Sequence, residues 1–132
     1  MKRLPAALAI SLTFTACRGG DSGLPRDYRR VEVPEARLRS AEAREQGRAL
    51  YHVHCVLCHG ERADGQGARR EGLSSRPQDF TDPSWRRQAS PRGLYFAIRE
   101  GVRGTAMPSW KSLDKAEAWD LVAFLLSVGE AK

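Results

Sequence analysis

A chain of 132 residues is long enough for one small domain with terminal extensions and too short for several domains. Hydrophobic residues make up 41% of it and its formal net charge is +6, a composition that excludes an intrinsically disordered chain and a multi-span membrane protein. A basic protein of this size can bind nucleic acid, a membrane surface or an acidic protein.

Residues 1–16 have the pattern of a signal peptide, with a positive start followed by a mostly apolar stretch too short to span a bilayer. Because an exported protein rarely meets a genome, we expect no nucleic-acid partner. The sequence Phe-Thr-Ala-Cys at residues 14–17 resembles a bacterial lipobox. It predicts that Cys17 carries lipid and holds the protein to a membrane on the periplasmic side. The alternative is a secreted protein with a spare thiol.

Residues 17–40 are rich in Gly, Pro and Arg and show no sustained periodicity. This composition predicts a flexible tether that follows the lipid-bearing cysteine. As a random coil it would have an end-to-end distance of about 25 Å. A tail that lies on the surface of the domain is the alternative.

The remaining domain, residues 41–129, is expected to be all-α. Apolar residues recur at helical spacing over residues 41–55, 91–100 and 115–128, and no segment alternates like a strand. A short extra turn is expected to begin at Asp82. The apolar run at residues 121–126 is too short for a membrane span and belongs to a core helix. Capping residues and terminal glycines support the three boundaries: Ser40, Ser90, Asp114 with Glu117, Gly101 and Gly129.

The segment Cys55-Val56-Leu57-Cys58-His59 carries the strongest chemical signal. Two cysteines three positions apart can each add across one haem vinyl group, and the adjacent histidine can bind the iron; this spacing is typical of c-type haem attachment. A thioredoxin-like dithiol would need a βαβ context, which the sequence lacks. A zinc site would need a fourth ligand from His52 or His54 within the same short segment, where a tetrahedron is difficult to close.

A second axial ligand is expected from Met107, the one methionine left if the chain is cut before Cys17. Met107 lies in a glycine-containing loop and is followed by Pro108, a context unlike that of a core methionine on a helix. The competing ligands His52 and His54 are too close to His59 in sequence to reach the opposite face of a haem. Surface or packing roles are expected for both.

These motifs resemble the class I cytochrome c family over about residues 41–129. Gly47, Tyr51 and Cys55 match the family's spacing before the haem motif, and residues 120–125 resemble its last helix. The resemblance implies a cytochrome c-like fold, in which three main helices pack around one covalently bound haem c. It also implies that Leu121 and Phe124 pack across Gly47 and Tyr51.

Two further stretches, residues 60–67 and 74–85, are similar to loops of bacterial members. In the family a backbone carbonyl near a proline accepts the second N–H of the proximal histidine. Pro77 or Leu73 is the implied position here. Candidate partners for the haem propionates are Arg103, Trp85 and Trp110.

If His59 and Met107 occupy both axial positions, the iron has no open site and one-electron transfer is the expected function. The chain would then be an electron carrier and not an enzyme, with an unidentified redox donor and acceptor. Several arginines are candidates for steering it onto acidic partners: Arg62, Arg69, Arg70, Arg86, Arg87 and Arg103. A displaced Met107 would instead permit gas binding or peroxide chemistry. A free shuttle and a fixed subunit of a redox complex remain equal alternatives.

Overall fold

The computed structural model describes residues 20–130, and over this range the fold is all-α, as predicted. The predicted signal peptide and Cys17 lie outside the described residues. No helix within them is long and apolar enough to cross a membrane. The helices, in chain order, are α1 (Arg26–Arg29), α2 (Glu35–Arg39), α3 (Ala41–His54), α4 (Val56–His59), α5 (Pro83–Gln88), α6 (Pro91–Glu100) and α7 (Lys115–Ser127).

The predicted caps of the three main helices are confirmed. Ser40 accepts a hydrogen bond from the Ala43 amide at 3.2 Å, and Ser90 accepts one from the Gly93 amide at 2.9 Å. Asp114 and Glu117 each accept a backbone N–H of the other at 2.8 Å, which is a complete capping box. These caps satisfy amides that a helix leaves unpaired, and they therefore fix where the helices begin.

The core is built on the crossing of α3 and α7 at Gly47. A Cβ added to Gly47 would lie 1.9 Å from the carbonyl oxygen of Asp120 and 2.9 Å from the Cβ of Phe124. Only glycine permits this close approach. The ring of Phe124 then packs against Tyr51, with ring centroids 5.1 Å apart. The predicted helix crossing is thus confirmed, and Asp120 is its closest contact.

Residues 20–40 form an N-terminal strap that packs on the domain. Arg37 in α2 makes two hydrogen bonds to the buried carboxylate of Asp120, at 2.6 and 2.8 Å. Leu38 is buried in the core. Closer to the N-terminus, Arg92 of α6 pairs with Asp21 at 3.1 Å and donates to a strap carbonyl at 2.8 Å.

The prediction of a flexible tether is therefore wrong for residues 20–40, and the alternative of a tail lying on the domain is the correct one. Helices of four and five residues are too short to show periodicity in a sequence. Isolated helices of this length are also unstable in water. Contacts with α6 and α7 hold them, and those contacts are invisible until the fold is known.

Candidate haem site

The two cysteines of the motif lie where α3 meets α4. The Cys55 amide donates to the Tyr51 carbonyl at 2.8 Å, and Cys58 follows within α4. Both are free thiols and both line one large cavity. Burial, and then the neighbouring Cys58, raises the pKa of Cys55 to about 12, so the Cys55 thiol is neutral at physiological pH. Two thiols on one wall of the cavity are the groups that can add to the two vinyl groups of a haem.

The loop after α4 folds back onto the motif. Tyr51 donates its phenolic hydrogen bond to the Gly60 carbonyl at 2.6 Å, across the end of α4. The Gly67 amide then bonds the Cys58 carbonyl at 3.2 Å, and a Cβ at Gly67 would lie 2.4 Å from the Leu57 carbonyl oxygen. The glycine-rich loop is therefore a backbone cover that holds the cysteine turn in shape.

His59 is held by its backbone-facing nitrogen. Its Nδ1 lies 3.2 Å from the carbonyl oxygen of Gln78, and its ring packs on Phe80 with centroids 5.0 Å apart. A carbonyl only accepts, so Nδ1 donates and the Nε2 lone pair is left for a metal. Burial lowers the pKa of His59, and the hydrogen bond to Gln78 opposes this only in part. The lowered pKa favours the neutral imidazole, which is the form that binds a metal. The partner is Gln78, whereas the sequence had indicated Pro77 or Leu73.

Met107 lies on the loop between α6 and α7. Gly101 has φ +74°, and a Cβ there would lie 2.7 Å from the Met107 carbonyl oxygen. The Met107 carbonyl accepts from the Val102 amide at 3.2 Å, and the Met107 amide donates to the Thr105 hydroxyl at 3.1 Å. Both backbone polar groups of Met107, its amide and its carbonyl, are therefore hydrogen-bonded within the loop.

These four side chains, Cys55, Cys58, His59 and Met107, line a single cavity of about 650 Å³. The volume lies within the range of cofactor sites, and most of the surrounding side chains are apolar, as a porphyrin ring requires. The donors match haem iron, since an imidazole nitrogen and a thioether sulfur are established axial ligands. The residues present therefore fit haem c. The apolar and aromatic lining includes Leu73, Phe80, Trp85, Leu94, Ile98 and Leu125.

The polar candidates from the sequence are distributed differently. Trp85 and Trp110 line the cavity, whereas Arg103 lines an adjoining outer groove that shares Met107 with it. Arg69 and Arg76 both contribute to the wall of the cavity; the sequence had indicated Arg69 only for steering partners, and it had not indicated Arg76 at all. No motif marks them, because arginines are frequent throughout this chain.

Of the two remaining histidines, His54 lines the cavity, and its ring is tilted at 51° to that of Trp110 with centroids 4.9 Å apart. His52 is exposed and lies 3.2 Å from Glu61. Among residues 20–130, no group of three or more His, Cys, Asp or Glu side chains converges on a possible ion site.

Comparison with known proteins agrees with this site. A family model described as "Cytochrome C oxidase, cbb3-type, subunit III" matches residues 42–125. The "Cbb3-type cytochrome c oxidase subunit CcoP" of Azospirillum brasilense is 31% identical over 97 residues, which is 73% of this chain and 32% of that protein. The chain thus spans about a third of the length of this relative.

Solved structures give the same result. The "KustC0563 c-type cytochrome" superposes with a TM-score of 0.54 at 30% identity, over 64% of this chain and 98% of that one. The "Kuenenia stuttgartiensis reducing HAO-like protein complex Kustc0457/Kustc0458" superposes with a TM-score of 0.61 at 26% identity, over 69% and 46% of the two chains. The chain belongs to the family of cbb3-type cytochrome c oxidase subunit III and is a class I c-type cytochrome, an electron-transfer protein with covalent haem c.

Proposed function

We propose that this protein carries one haem c and passes single electrons between other redox proteins without catalysing a reaction of its own. Cys55 and Cys58 form the thioether links, and His59 and Met107 are the two axial ligands. The observation that carries the assignment is the shared cavity, which brings all four side chains together from separate elements. The count of one rests on the single C-x-x-C-H motif in the chain.

The protein would contribute two axial ligands for the haem iron and hold both in position. Bound haem supplies reversible one-electron change at its iron. His59 is oriented by the Gln78 carbonyl, and Met107 is held by its closed loop. With both positions taken by protein side chains, no site is left for an oxygen or peroxide substrate, and little has to move when the charge changes.

The redox partners are proposed to be other proteins with acidic surfaces. The chain has a net charge of +6, and exposed arginines such as Arg62 lie close to the haem motif in sequence. Opposite charges accelerate encounter and orient the two proteins. The relatives named above include a subunit of a cbb3-type oxidase and a multi-protein complex, so a place in an electron-transfer complex is one form of this function.

The protein is proposed to be exported and held to a membrane through lipid on Cys17. The strap contacts the domain from Gly20, whose carbonyl accepts from Ser90 at 3.4 Å, and Gly20 lines the haem cavity. Gly20 follows Cys17 by three positions in the chain, so their Cα atoms are at most about 11 Å apart. The anchor would therefore keep the haem domain close to the bilayer.

The ligand assignment is tested with Met107→Ala in the exported holoprotein. We expect haem to stay covalently attached, the near-red iron–thioether band of the ferric protein to disappear, and carbon monoxide binding to appear. Axial ligands span about 0.8 V across haem proteins, so a fall in reduction potential of about 0.1–0.2 V is expected. Val102→Ala is the matched control, since Val102 lines the same cavity but has no donor atom. An unchanged potential and spectrum in Met107→Ala would reject the assignment.

The anchor is tested with Cys17→Ser. We expect a soluble cytochrome with an unchanged visible spectrum, since Cys17 is neither a thioether link nor an axial ligand of the proposed haem. Haem-stained membrane and soluble fractions give the location, and mass spectrometry of the wild-type N-terminus detects the lipid. A wild-type protein found soluble, with unmodified Cys17, would reject the anchor and leave the electron-transfer assignment intact.

A further inference from the structure

Glu100 joins the N-terminal strap to the loop that carries Met107. It is the last residue of α6, immediately before the loop. One carboxylate oxygen accepts a hydrogen bond from the Tyr28 hydroxyl at 2.5 Å, and the other lies 2.8 Å from the Lys111 ammonium. Tyr28 belongs to the strap, and Lys111 follows Met107 by four residues. A single carboxylate therefore ties two segments that are far apart in sequence.

The strap end of this tie is fixed. The ring of Tyr28 packs edge-on against Phe96, with centroids 4.7 Å apart, and tilted against Tyr95 at 6.2 Å. The ion pair of Asp21 with Arg92 holds the strap to α6 on the N-terminal side of Tyr28. Tyr28 thus presents its hydroxyl from a ring that packs against two aromatic side chains of α6.

At the other end of the tie, Lys111 belongs to the C-terminal arm of the Met107 loop, residues 108–111. This arm is also bonded to the end of α6, since Ser109 donates to the Arg99 carbonyl at 2.7 Å and the Trp110 amide donates to the Ile98 carbonyl at 2.9 Å. Lys111 continues the arm to Glu100. If the Lys111 contact were lost, the arm would keep its backbone bonds but lose its connection to the strap.

The tie persists across the physiological pH range. Burial and then the hydrogen bond to Glu100 raise the pKa of Tyr28 to about 12. Hydrogen bonds from Lys111 and then Tyr28 lower the pKa of Glu100, with a smaller contribution from the charge of Arg99. At neutral pH Glu100 is therefore ionised and Tyr28 protonated, the states in which both contacts form.

We propose that Tyr28 and Lys111, acting through Glu100, are positioning residues for Met107. They hold the loop closed over the cavity, so the thioether stays on the iron and external ligands are excluded. The strap and the Met107 loop line one outer groove, to which Pro25, Tyr28, residues 102–105 and Met107 contribute. This inference rests on the proposed ligation by Met107 and assigns a function to the strap that the haem motif does not require.

The test uses the holoprotein with three substitutions, Tyr28→Phe, Glu100→Gln and Lys111→Met. The readouts are the association rate of carbon monoxide with the ferrous protein, which needs Met107 to leave the iron, and the ferric near-red band. Loss of a hydrogen bond of typical net strength changes an opening equilibrium about fivefold. We expect carbon monoxide association to accelerate by about that factor in Tyr28→Phe. The double variant Tyr28→Phe/Glu100→Ala should match Glu100→Ala alone, since an alanine leaves the Tyr28 hydroxyl no acceptor at this position.

Two controls separate positioning from general loss of stability. Glu35→Gln removes an exposed ion pair within the same strap, Glu35 with Arg39, and should leave the carbon monoxide rate unchanged. Arg37→Ala destabilises the strap at α7, away from the loop. A rate increase in Arg37→Ala equal to that in Tyr28→Phe would overturn the inference, as would wild-type rates in both Tyr28→Phe and Glu100→Gln.

The wild-type spectrum separates this inference from the proposed function. A wild-type protein without the near-red band would reject ligation by Met107, and the inference would fall with it. A wild-type protein with the band, together with unaltered rates in the variants, would reject only the positioning role.

Discussion

The ion pair between Arg37 and Asp120 is expected to carry much of the attachment of the strap. Asp120 is 1% exposed and accepts two hydrogen bonds from one guanidinium, at 2.6 and 2.8 Å. Removing one partner of a buried pair costs about 3–5 kcal/mol, because the other charge stays buried without compensation. The Arg37 side chain is 39% exposed, so water would reach the carboxylate in Arg37→Ala. We therefore expect the lower end, a loss of about 3 kcal/mol of unfolding free energy.

Denaturant and thermal unfolding of the holoprotein measure this loss. For a domain of this size 1 kcal/mol corresponds to about 4 °C, so the Tm of Arg37→Ala should fall by about 12 °C. Arg39→Ala is the matched control in the same helix, because Arg39 is 70% exposed and its pair with Glu35 is a surface pair worth less than about 1 kcal/mol. The double variant Arg37→Ala/Asp120→Asn should recover part of the loss, because no buried charge remains.

A result in which Arg37→Ala loses no more stability than Arg39→Ala would refute this reasoning. It would mean that the strap is held by its apolar contacts, such as that of Leu38, and that the guanidinium only covers an otherwise hydrated carboxylate.

Three other predictions follow from the same structure. Gly47→Ala should lose about 3 kcal/mol of unfolding free energy, measured by denaturant titration, because the added Cβ would lie 1.9 Å from the Asp120 carbonyl oxygen and force the helices apart. The double variant Cys55→Ala/Cys58→Ala, expressed for export, should give a poorly ordered chain by circular dichroism, since a domain this small has little stability without its central group; a sharp thermal transition with native helix content would contradict this. The pKa of Tyr28 is raised from 10 to about 12, so its contribution to stability should be complete below pH 10 and lost as the pH rises through about 12. Tyr28→Phe should lack that dependence in unfolding measurements across this pH range.

The parts of the fold that local chemistry specifies could be predicted from the sequence. Ser40, Ser90 and the Asp114–Glu117 box determine where helices begin, and they do so through contacts within three residues. The spacing of the haem motif is equally local. The packing of Gly47 against α7 could be predicted only from the family resemblance, because the family's fold already specifies which distant residues are in contact.

The parts that tertiary contacts specify could not be predicted. The two helices of the strap are too short to give a periodic signal. They are held by distant partners such as Asp120, which is 83 residues from Arg37. The acceptor for His59 is a backbone carbonyl, at Gln78, and any residue could supply that group. The role of Glu100 depends on two partners from different segments, and nothing in its own neighbourhood indicates them.

The separation between Arg37 and Asp120 also has a consequence for the order of assembly. The haem motif lies between these two residues in the chain, and α7 is synthesised after it. The strap cannot dock, and α3 cannot be covered at Gly47, before α7 has arrived. Until then Cys55 and Cys58 lie on an open chain, accessible to whatever attaches the haem. Closure of the domain therefore waits for α7, so that the two thiols are enclosed only after α7 has been synthesised.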